Sequence, residues 1–495
     1  MVGRHSRREL LTLGAVGGVA LAVPVARRVS ASSLIDAITA GLPEPEPTSP
    51  FVPAFSVPLT VPPVLQPVRR DATSDFFQMV QRPAYLQILP GARTLVWGYN
   101  GIFPGPILPL KSGRQAIVTQ RNQLAIPTST HLHGGLTPPE SDGHPLDLVA
   151  PGGSRVHTYP CQQEAAPLWY HDHADHATGR NVWMGLVGRT LMTDEHDDAL
   201  PLPKPPFDVP LIICDRLFNA DNSLFYPQEH DDGAVQVVQK GAIGDVMLVN
   251  GGPQPRLAVK RRKYRFRVLN SCNARQLLLA LDRDLPFTVV ASDGGLMPKP
   301  VTVFQLPMGN AERYDVVVDF SKVPTGRKVV LRNLAGEGRT AEIMRFDVGD
   351  AAPDQSSVPT DLRPPVDVNP ADAVVTRRFR FKREHGAWTI NGKLFDANRI
   401  DATPRLNTTE IWELQNDSGG WTHPVHVHLV EYKILSRNGA PPRPWETGPK
   451  DTVMVGPNET VRIAARFDGF RGIYVLHCHN LEHEDHDMMS QFQVI

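Results

Sequence analysis

Short segments in which apolar and polar residues alternate recur along the whole chain, and turn residues separate them. Four of them are residues 115–119, 264–269, 314–320 and 460–465. Successive side chains of a strand point to opposite faces, so alternation is typical of strands with one buried face. Long stretches with the 3.6-residue period of a helix are absent. The pattern predicts an all-β fold built from β-sandwiches.

The length of the chain sets the number of sandwiches. A chain of 495 residues is too long for one hydrophobic core, and about three domains are expected. An acidic and then proline-rich stretch at 194–206 and a stretch rich in Pro, Asp and Ser at 350–372 mark the junctions. The predicted domains are residues 67–195, 205–350 and 372–495, which makes three consecutive β-sandwiches.

The N-terminus has the features of an export signal. Arg7 and Arg8 precede an apolar stretch that runs to Ala26, in the manner of a twin-arginine signal. We assign residues 1–31 to this signal and residues 32–66 to an extended, proline-rich lead-in. The alternative is an uncleaved membrane anchor, although 17 apolar residues are at the lower limit for spanning a bilayer. The signal predicts a secreted or cell-envelope protein without a stable membrane partner.

The charge balance excludes one class of partner. The formal net charge is -1, so no overall field attracts nucleic acid or an anionic membrane. A basic run at 260–267 is the one local exception, but its apolar residues alternate with its arginines. We expect a strand with a solvated basic face there and no nucleic-acid site.

The histidines carry the clearest chemical signal. The chain has 18, and it contains four His-x-His pairs, where chance would give fewer than one. Residues i and i+2 of a strand share a face, so each pair aims two imidazoles at one place. Eight imidazoles are enough for three copper ions that also bind water or oxygen. The pairs are His131 and His133, His171 and His173, His426 and His428, and His477 and His479.

The last pair encloses a cysteine. His477 and His479 lie on one face of their strand and the Cys478 thiolate lies on the other. His483 follows four residues after His479, and Met488 follows ten residues after Cys478. Two histidines, one thiolate and a weak axial methionine make a blue-copper site. The spacing predicts a mononuclear copper on one face of this strand and a copper cluster on the other.

A second histidine for the mononuclear site is found in the preceding group. His423 lies three residues before His426, so in a strand their side chains would point to opposite faces. Pro424 between them breaks the strand. His230 is the single histidine between residues 197 and 372. The first and third domains are therefore expected to bind a cluster at their interface, with the middle domain as a spacer. Cys161, Cys214 and Cys272 have no metal-site spacing, and we expect them to be buried as small hydrophobic side chains.

These motifs resemble those of the three-domain bacterial laccases of the multicopper oxidase family, most closely the spore-coat laccase and the bilirubin-oxidase-like members. The resemblance runs from about residue 80 to the C-terminus. Four copper-binding segments carry it, and residues 97–106, 141–143, 263–268 and 292–296 are matching scaffold. The four segments are His131-Leu132-His133-Gly134-Gly135, Leu168-Trp169-Tyr170-His171-Asp172-His173, His423-Pro424-Val425-His426-Val427-His428, and the run from His477-Cys478-His479 to Met488-Met489.

The resemblance implies three cupredoxin-like domains, four copper ions and a role for each ligand. It assigns His423, Cys478, His483 and Met488 to a type 1 copper, and His131 and His426 to a type 2 copper. It assigns His133, His171 and His479 to one type 3 copper, and His173, His428 and His477 to the other. It also implies that Asp142 and Glu484 move protons to oxygen. Two departures are the export signal and the cysteines, so no disulfide is carried over from the spore-coat laccase.

The expected reaction is the one-electron oxidation of a small molecule coupled to the reduction of dioxygen to water. The donor would dock at an exposed edge of His483, and electrons would cross Cys478 to its flanking histidines. The expected donors are phenols, aromatic amines or related aromatic compounds, with bilirubin as one candidate. A metal-ion oxidase for Cu(I) or Mn(II) is the alternative within the family, although the chain has 11 methionines and no methionine-rich insert. A copper-free exported scaffold or binding protein is the alternative of another class.

Overall fold

The computed structural model describes residues 45, 48–231, 234–237, 240–365 and 368–495. The predicted export signal and most of the lead-in before residue 48 lie outside the described residues. From Thr48 to Gln66 the lead-in is extended and has no helix. Across the described residues, no helix has the length and apolar character needed to cross a membrane.

The first β-sandwich has two facing sheets. One has the order β1-β2-β5-β7 with β3 paired to β2, and the other has the order β4-β9-β8-β6. Burial alternates along β5, where Ala116 and Val118 face the core. The strands are β1 (Arg69–Arg70), β2 (Ser74–Leu86), β3 (Thr94–Tyr99), β4 (Gly105–Lys111), β5 (Gln115–Asn122), β6 (Thr130–His133), β7 (Ser154–Tyr159), β8 (Trp169–Asp172) and β9 (Val187–Thr193).

The second β-sandwich pairs a large sheet, β15-β14-β10-β17-β22-β19-β20 with β11 on β10, with the sheet β16-β24-β23-β18-β21. A separate hairpin is formed by β12 and β13. The strands are β10 (Asp208–Phe218), β11 (Leu224–Phe225), β12 (Gln228–Asp231), β13 (Ala234–Val237), β14 (Val246–Val249), β15 (Gly252–Pro253), β16 (Arg256–Arg261), β17 (Lys263–Asn270), β18 (Leu277–Leu281), β19 (Phe287–Ser292), β20 (Gly295–Val303), β21 (Gln305–Met308), β22 (Arg313–Asp319), β23 (Lys328–Asn333) and β24 (Glu342–Ala351).

The basic run does not form the solvated strand face that the sequence predicted. It continues into β17, which lies between β10 and β22 inside the large sheet. Arg265 and Arg267 are buried, and their guanidinium groups pair with Asp315 at 2.7 and 3.1 Å. Both faces of a central strand are covered, so arginines there need buried carboxylates as partners.

The third β-sandwich consists of the sheets β26-β25-β27-β31-β29 and β30-β28-β32-β33. Its strands are β25 (Ala373–Glu384), β26 (Ala387–Ile390), β27 (Thr408–Asn416), β28 (His423–Val427), β29 (Tyr432–Arg437), β30 (Thr452–Val455), β31 (Thr460–Phe467), β32 (Gly472–Cys478) and β33 (Met489–Val494). Three successive sandwiches agree with the predicted all-β, cupredoxin-like fold.

Helices are few and short in the part of the chain that the structure describes. Two of them, α1 and α4, bring acidic side chains towards the histidine pairs. The α-helices are α1 (Pro139–Asp142), α2 (Thr178–Met184), α3 (Glu195–Ala199) and α4 (Leu481–Asp485); one-turn 3-10 helices span Asp282–Asp284, Phe320–Lys322, Gly338–Ala341, Pro370–Asp372 and Pro444–Glu446. All four cysteines are buried, as predicted for Cys161, Cys214 and Cys272, and none forms a disulfide.

Candidate metal centre

The four His-x-His pairs meet between the first and third sandwiches. Strands β6 and β8 are antiparallel neighbours, and their register places His131 opposite His171. Strands β28 and β32 are paired in the same way, with His426 opposite His477. The two strand pairs face each other, and the Nε2 atoms of His131 and His426 are 3.4 Å apart. Eight imidazoles from two sandwiches therefore surround one buried site.

Within this site the nitrogen atoms fall into three groups, each compact enough to bind one metal ion. Two of the groups share His428, whose Nε2 lies 3.3 Å from Nε2 of His477. All members are at most 1% exposed. The described part of the second sandwich contributes no histidine to them. The groups are His131, His426 and His428; His133, His171 and His479; and His173, His428 and His477.

The hydrogen bonds of these histidines leave nitrogen lone pairs directed into the site. Nδ1 of His131 donates to the carbonyl of Asp142 at 2.6 Å, and Nδ1 of His171 donates to the carbonyl of Asp172 at 2.8 Å. Such bonds fix the tautomer in which Nε2 is free to bind a metal. Nε2 of His171 and both ring nitrogens of His479 have no hydrogen-bond partner, although they are buried. Unpaired buried nitrogens are costly, and bound metal ions would satisfy them.

Burial also keeps the rings of His171 and His173 neutral. It lowers the pKa of His171 to about 3 and the pKa of His173 to about 4. A neutral imidazole is the form that binds copper, so the ligands are ready at neutral pH without releasing a proton.

A separate group lies on the other face of β32. Sγ of Cys478 is 3.3 Å from Nδ1 of His423 and 3.6 Å from Nδ1 of His483, and the two Nδ1 atoms are 3.3 Å apart. Met488 packs in the same apolar cluster as Cys478. Burial raises the pKa of the Cys478 thiol, so its thiolate requires a cation beside it. The sulfur and nitrogen ligand atoms and their spacing fit a copper ion.

The two sites are linked through adjacent residues. The side chains of His477 and His479 join the three-group cluster, whereas Cys478 between them joins His423 and His483. This is the arrangement that strand alternation predicts for β32. A few covalent bonds connect the thiolate to both imidazoles.

Both carboxylates named from the sequence contact cluster histidines. Oδ2 of Asp142, at the end of α1, accepts a hydrogen bond from Nδ1 of His428 at 2.7 Å. Oε2 and Oε1 of Glu484, in α4, lie 3.0 and 3.4 Å from Nδ1 of His477 and His173. Each carboxylate orients the outer nitrogen of a ring whose inner nitrogen faces the site.

Comparison with known proteins agrees with this geometry. Multicopper oxidase family models match residues 82–197, 218–344 and 360–495. Bilirubin oxidase from Albifimbria verrucaria is 40% identical over 90% of this chain and 82% of its own length. Laccase from Bacillus subtilis (strain 168) is 36% identical over 88% of this chain and 97% of its own length. The chain belongs to the multicopper oxidase family.

Solved structures extend the match to the whole fold. The crystal structure of a laccase from Pediococcus acidilactici superposes with a TM-score of 0.85 at 34% identity, covering 93% of this multicopper oxidase and 98% of the laccase. Members of the family bind type 1, type 2 and type 3 coppers, and the chain is a laccase-like oxidoreductase with an organic reductant and dioxygen as substrates.

The structure corrects one expectation about electron entry. His483 has no exposed edge, because its side chain is completely buried. The Trp388 ring stacks on it with centroids 3.8 Å apart, and the partly exposed Trp421 meets it edge-on at 5.8 Å. Local sequence could not reveal this cover, since Trp388 comes from β26 and the histidine from α4. Trp388 and Trp421 therefore form part of the cover over His483.

Sequence reasoning missed one residue of this multicopper oxidase site. Oδ1 of Asp451 lies 3.2 Å from Nε2 of His133, and its main-chain oxygen accepts from Nδ1 of His426 at 2.9 Å. The available signal was the charged pair Lys450 and Asp451 directly before the apolar strand β30. Both side chains are at most 1% exposed.

Proposed function

We propose that this laccase-like oxidase takes its electrons from aromatic small molecules, namely phenols, aromatic amines and related compounds, with bilirubin as one candidate. The observation that carries the proposal is the aromatic cover of His483. Trp421 is partly exposed and packs edge-to-face on the buried Trp388 at 5.2 Å, and Trp388 stacks on His483. Aromatic side chains favour flat aromatic partners. The relative named bilirubin oxidase supports this donor class.

The alternative donor is a metal ion, Cu(I) or Mn(II). Thioether groups suit Cu(I), so a Cu(I) oxidase needs accessible methionines near the electron-entry site. Met488 and Met489 are the two that follow α4, and both are at most 2% exposed. This arrangement favours the aromatic donor over Cu(I).

We also propose the individual ligands. His423, Cys478 and His483 would hold the type 1 copper with Met488 as a weak axial ligand, and His131 and His426 would hold the type 2 copper. His133, His171 and His479 would hold one type 3 copper, and His173, His428 and His477 the other. The three compact nitrogen groups and the separate thiolate group support this assignment.

The protein's own residues have three tasks in this proposal. When bound, the coppers supply one-electron oxidation of the donor and four-electron reduction of dioxygen to water. Cys478 provides the covalent link between the two sites through its neighbours His477 and His479. Glu484 and Asp142 would move protons to the cluster and orient its histidines. The two tryptophans exclude water from His483 and present an aromatic contact surface.

Location is a further part of the proposal. The pair Arg7-Arg8 and the apolar stretch that follows support export of the folded, copper-loaded protein by the twin-arginine route. The mature protein would then act outside the cytoplasm, either secreted or in the cell envelope.

The decisive experiment combines metal analysis with oxygen uptake. The copper-loaded protein should hold four coppers per chain, should be intensely blue, and should consume oxygen with phenols, aromatic amines or bilirubin. Oxygen uptake with Cu(I) or Mn(II), and none with the aromatic panel, would establish the metal-ion alternative. A colourless protein, or one with a single copper, would contradict the ligand assignment. Four coppers without oxygen uptake for any donor would contradict the oxidase function.

A further inference from the structure

Behind the histidine cluster is a point where all three sandwiches meet. His133 ends β6 of the first sandwich, Arg313 begins β22 of the second, and Asp451 directly precedes β30 of the third. Arg313 and Asp451 are fully buried. No residue of the second sandwich is a proposed copper ligand, so the buried ion pair between its Arg313 and Asp451, which lies beside a cluster histidine, needs an explanation.

Arg313 is held in one orientation. Its Nε donates to the carbonyl of Pro167 at 2.9 Å, and its Nη atoms donate to the carbonyls of Ala311 and Asp293 at 3.1 and 3.0 Å. The same two Nη atoms contact the two carboxylate oxygens of Asp451, one of them at 2.7 Å. A planar guanidinium with this set of partners fixes both the position and the tilt of the carboxylate.

Asp451 in turn holds two histidines by their outer nitrogens. Its carboxylate accepts from Nε2 of His133, and its main-chain oxygen accepts from Nδ1 of His426. His133 therefore presents Nδ1 to the cluster, and this atom has no hydrogen-bond partner. His426 presents Nε2, which faces Nε2 of His131 at 3.4 Å. Asp451, together with the Thr452 hydroxyl 3.1 Å from Nε2 of His133, thus sets the ring orientation of histidines from two sandwiches.

The neighbouring lysine fixes the backbone at this point. Nζ of Lys450 lies 2.8 Å from a carboxylate oxygen of Asp293 and 2.8 Å from one of Glu312. Asp293 also accepts from the backbone amide of Thr452 at 3.2 Å. Residues 450–452 are therefore attached to the second sandwich by side-chain and main-chain contacts, and Asp451 has little freedom to move away from His133.

We infer that Arg313 and Asp451 are a positioning pair for the copper cluster. Arg313 fixes the carboxylate of Asp451, and Asp451 fixes His133 and His426 in the orientation that binds metal. The second sandwich thereby controls copper binding at the type 2 position and at one type 3 position, although it provides no ligand. This inference rests on the proposed assignment of His133 and His426.

The test is the copper content and spectroscopy of Asp451→Asn. This variant keeps the side-chain shape but removes the charge that fixes the guanidinium. Changes in residues that orient metal-bound histidines typically lower metal affinity about 10–100-fold. We expect a loss of this size for the type 2 and type 3 coppers in a chelator titration, together with an altered type 2 EPR signal. The type 1 absorption, from the other face of β32, should remain and shows that the variant is folded.

A matched control separates positioning from general stability. Arg437 and Glu446 form another buried bidentate ion pair in the third sandwich, at 2.6 and 2.8 Å, which contacts no cluster histidine. Glu446→Gln should lower the thermal stability but keep four coppers and the wild-type EPR signal. Arg313→Lys retains the positive charge but lacks the planar guanidinium group. This variant should bind more copper than Arg313→Met.

Three results would overturn the inference. One is an Asp451→Asn protein with four coppers of wild-type affinity and an unchanged type 2 EPR signal. Another is an equal loss of copper in Asp451→Asn and Glu446→Gln, which would show a purely structural role. The third is equal copper binding by Arg313→Lys and Arg313→Met. Failure of the ligand assignment is distinguishable from failure of this inference, because the wild-type protein itself would then not bind four coppers.

Discussion

Oε2 of Glu484 lies 3.0 Å from Nδ1 of His477, the residue directly before Cys478. Glu484 also directly follows His483 in α4, so two consecutive residues of one short helix contact the two metal sites. His483 faces the thiolate group and Glu484 faces the cluster. A carboxylate in this place can deliver protons where oxygen is reduced without touching the site where electrons enter.

The first prediction follows from this separation. Glu484→Gln keeps the shape and removes the ionisable group, so reduction of oxygen should slow by about 10²-fold or more, as expected for loss of a positioned proton donor. Reduction of the type 1 site by the donor should stay near the wild-type rate. Stopped-flow absorption of the blue colour measures both steps.

A neighbouring carboxylate offers the control for this prediction. Glu482 is also buried in α4, but it accepts from Tyr226 and Asn273 and contacts no cluster histidine. Glu482→Gln should leave the oxygen step unchanged. Slow reduction by the donor with fast reoxidation in Glu484→Gln would instead assign Glu484 to the donor side.

The second prediction concerns the aromatic cover. Trp421 is partly exposed and meets both Trp388 and His483 edge-on. Trp421→Leu keeps an apolar side chain but removes the ring, so kcat/KM for phenols should fall about fivefold, equivalent to one aromatic contact of about 1 kcal/mol. Oxygen reduction by the prereduced enzyme should not change. Unaltered steady-state kinetics for every aromatic donor would show that donors approach elsewhere.

The sequence was sufficient for the fold class and for the histidine pairs because both depend on local periodicity. Alternation predicted strands, and the same alternation explains why Cys478 and its two flanking histidines enter different groups on β32. The resemblance to laccases then supplied the proposed roles of Asp142 and Glu484, which contact His428 and His477. No disulfide was predicted, and all four cysteines are free.

Long-range packing explains what the sequence did not reveal. Trp388 covers His483 although 95 residues separate them, and Arg313 reaches Asp451 across 138 residues. Neither contact has a local pattern, because each depends on how two elements approach each other. The burial of Arg265 and Arg267 was missed for the same reason, since their carboxylate partners come from other elements. Periodicity identifies the face of a strand, but it does not identify what packs against that face.

The third prediction concerns the thiols outside the metal sites. Cys161, Cys214 and Cys272 are free and buried, and burial raises the pKa of the Cys161 thiol to about 12. The variant with serine at all three positions should keep its blue colour and four coppers. Its stability should fall by about 1–3 kcal/mol for each hydroxyl that finds no partner. Loss of colour in a folded variant would reveal a further ligand or bridge.

The fourth prediction tests export. The variant with Arg7→Lys and Arg8→Lys should accumulate in the cytoplasm, because the twin-arginine route recognises this pair. The chain has a second adjacent pair, Arg27 and Arg28, after the apolar stretch. The same two substitutions there should leave export unchanged. Fractionation followed by immunoblotting measures the distribution, and normal export of the first variant would refute the signal assignment.

The last prediction examines the axial position of the type 1 site. Met488 packs in the apolar cluster that contains Cys478, and its main-chain oxygen accepts from the Cys478 amide at 3.1 Å. A thioether ligand donates some electron density, which favours Cu(II) over Cu(I). Met488→Leu conserves the volume and deletes the sulfur, so the fold should survive and the reduction potential should rise. Redox titration of the blue absorption measures this shift.

Two companion variants decide whether the residue is correctly placed. Met489 is equally buried but lies in β33 opposite His477, outside that apolar cluster. Met489→Leu should leave the potential unchanged, whereas Cys478→Ser should abolish the blue colour and stop turnover, because the thiolate is lost while His477 and His479 remain. If the potential shifts in Met489→Leu and not in Met488→Leu, the axial ligand is Met489. Turnover of an aromatic donor at the wild-type rate by Cys478→Ser would mean that electrons enter without this thiolate, and the proposed route would then be wrong.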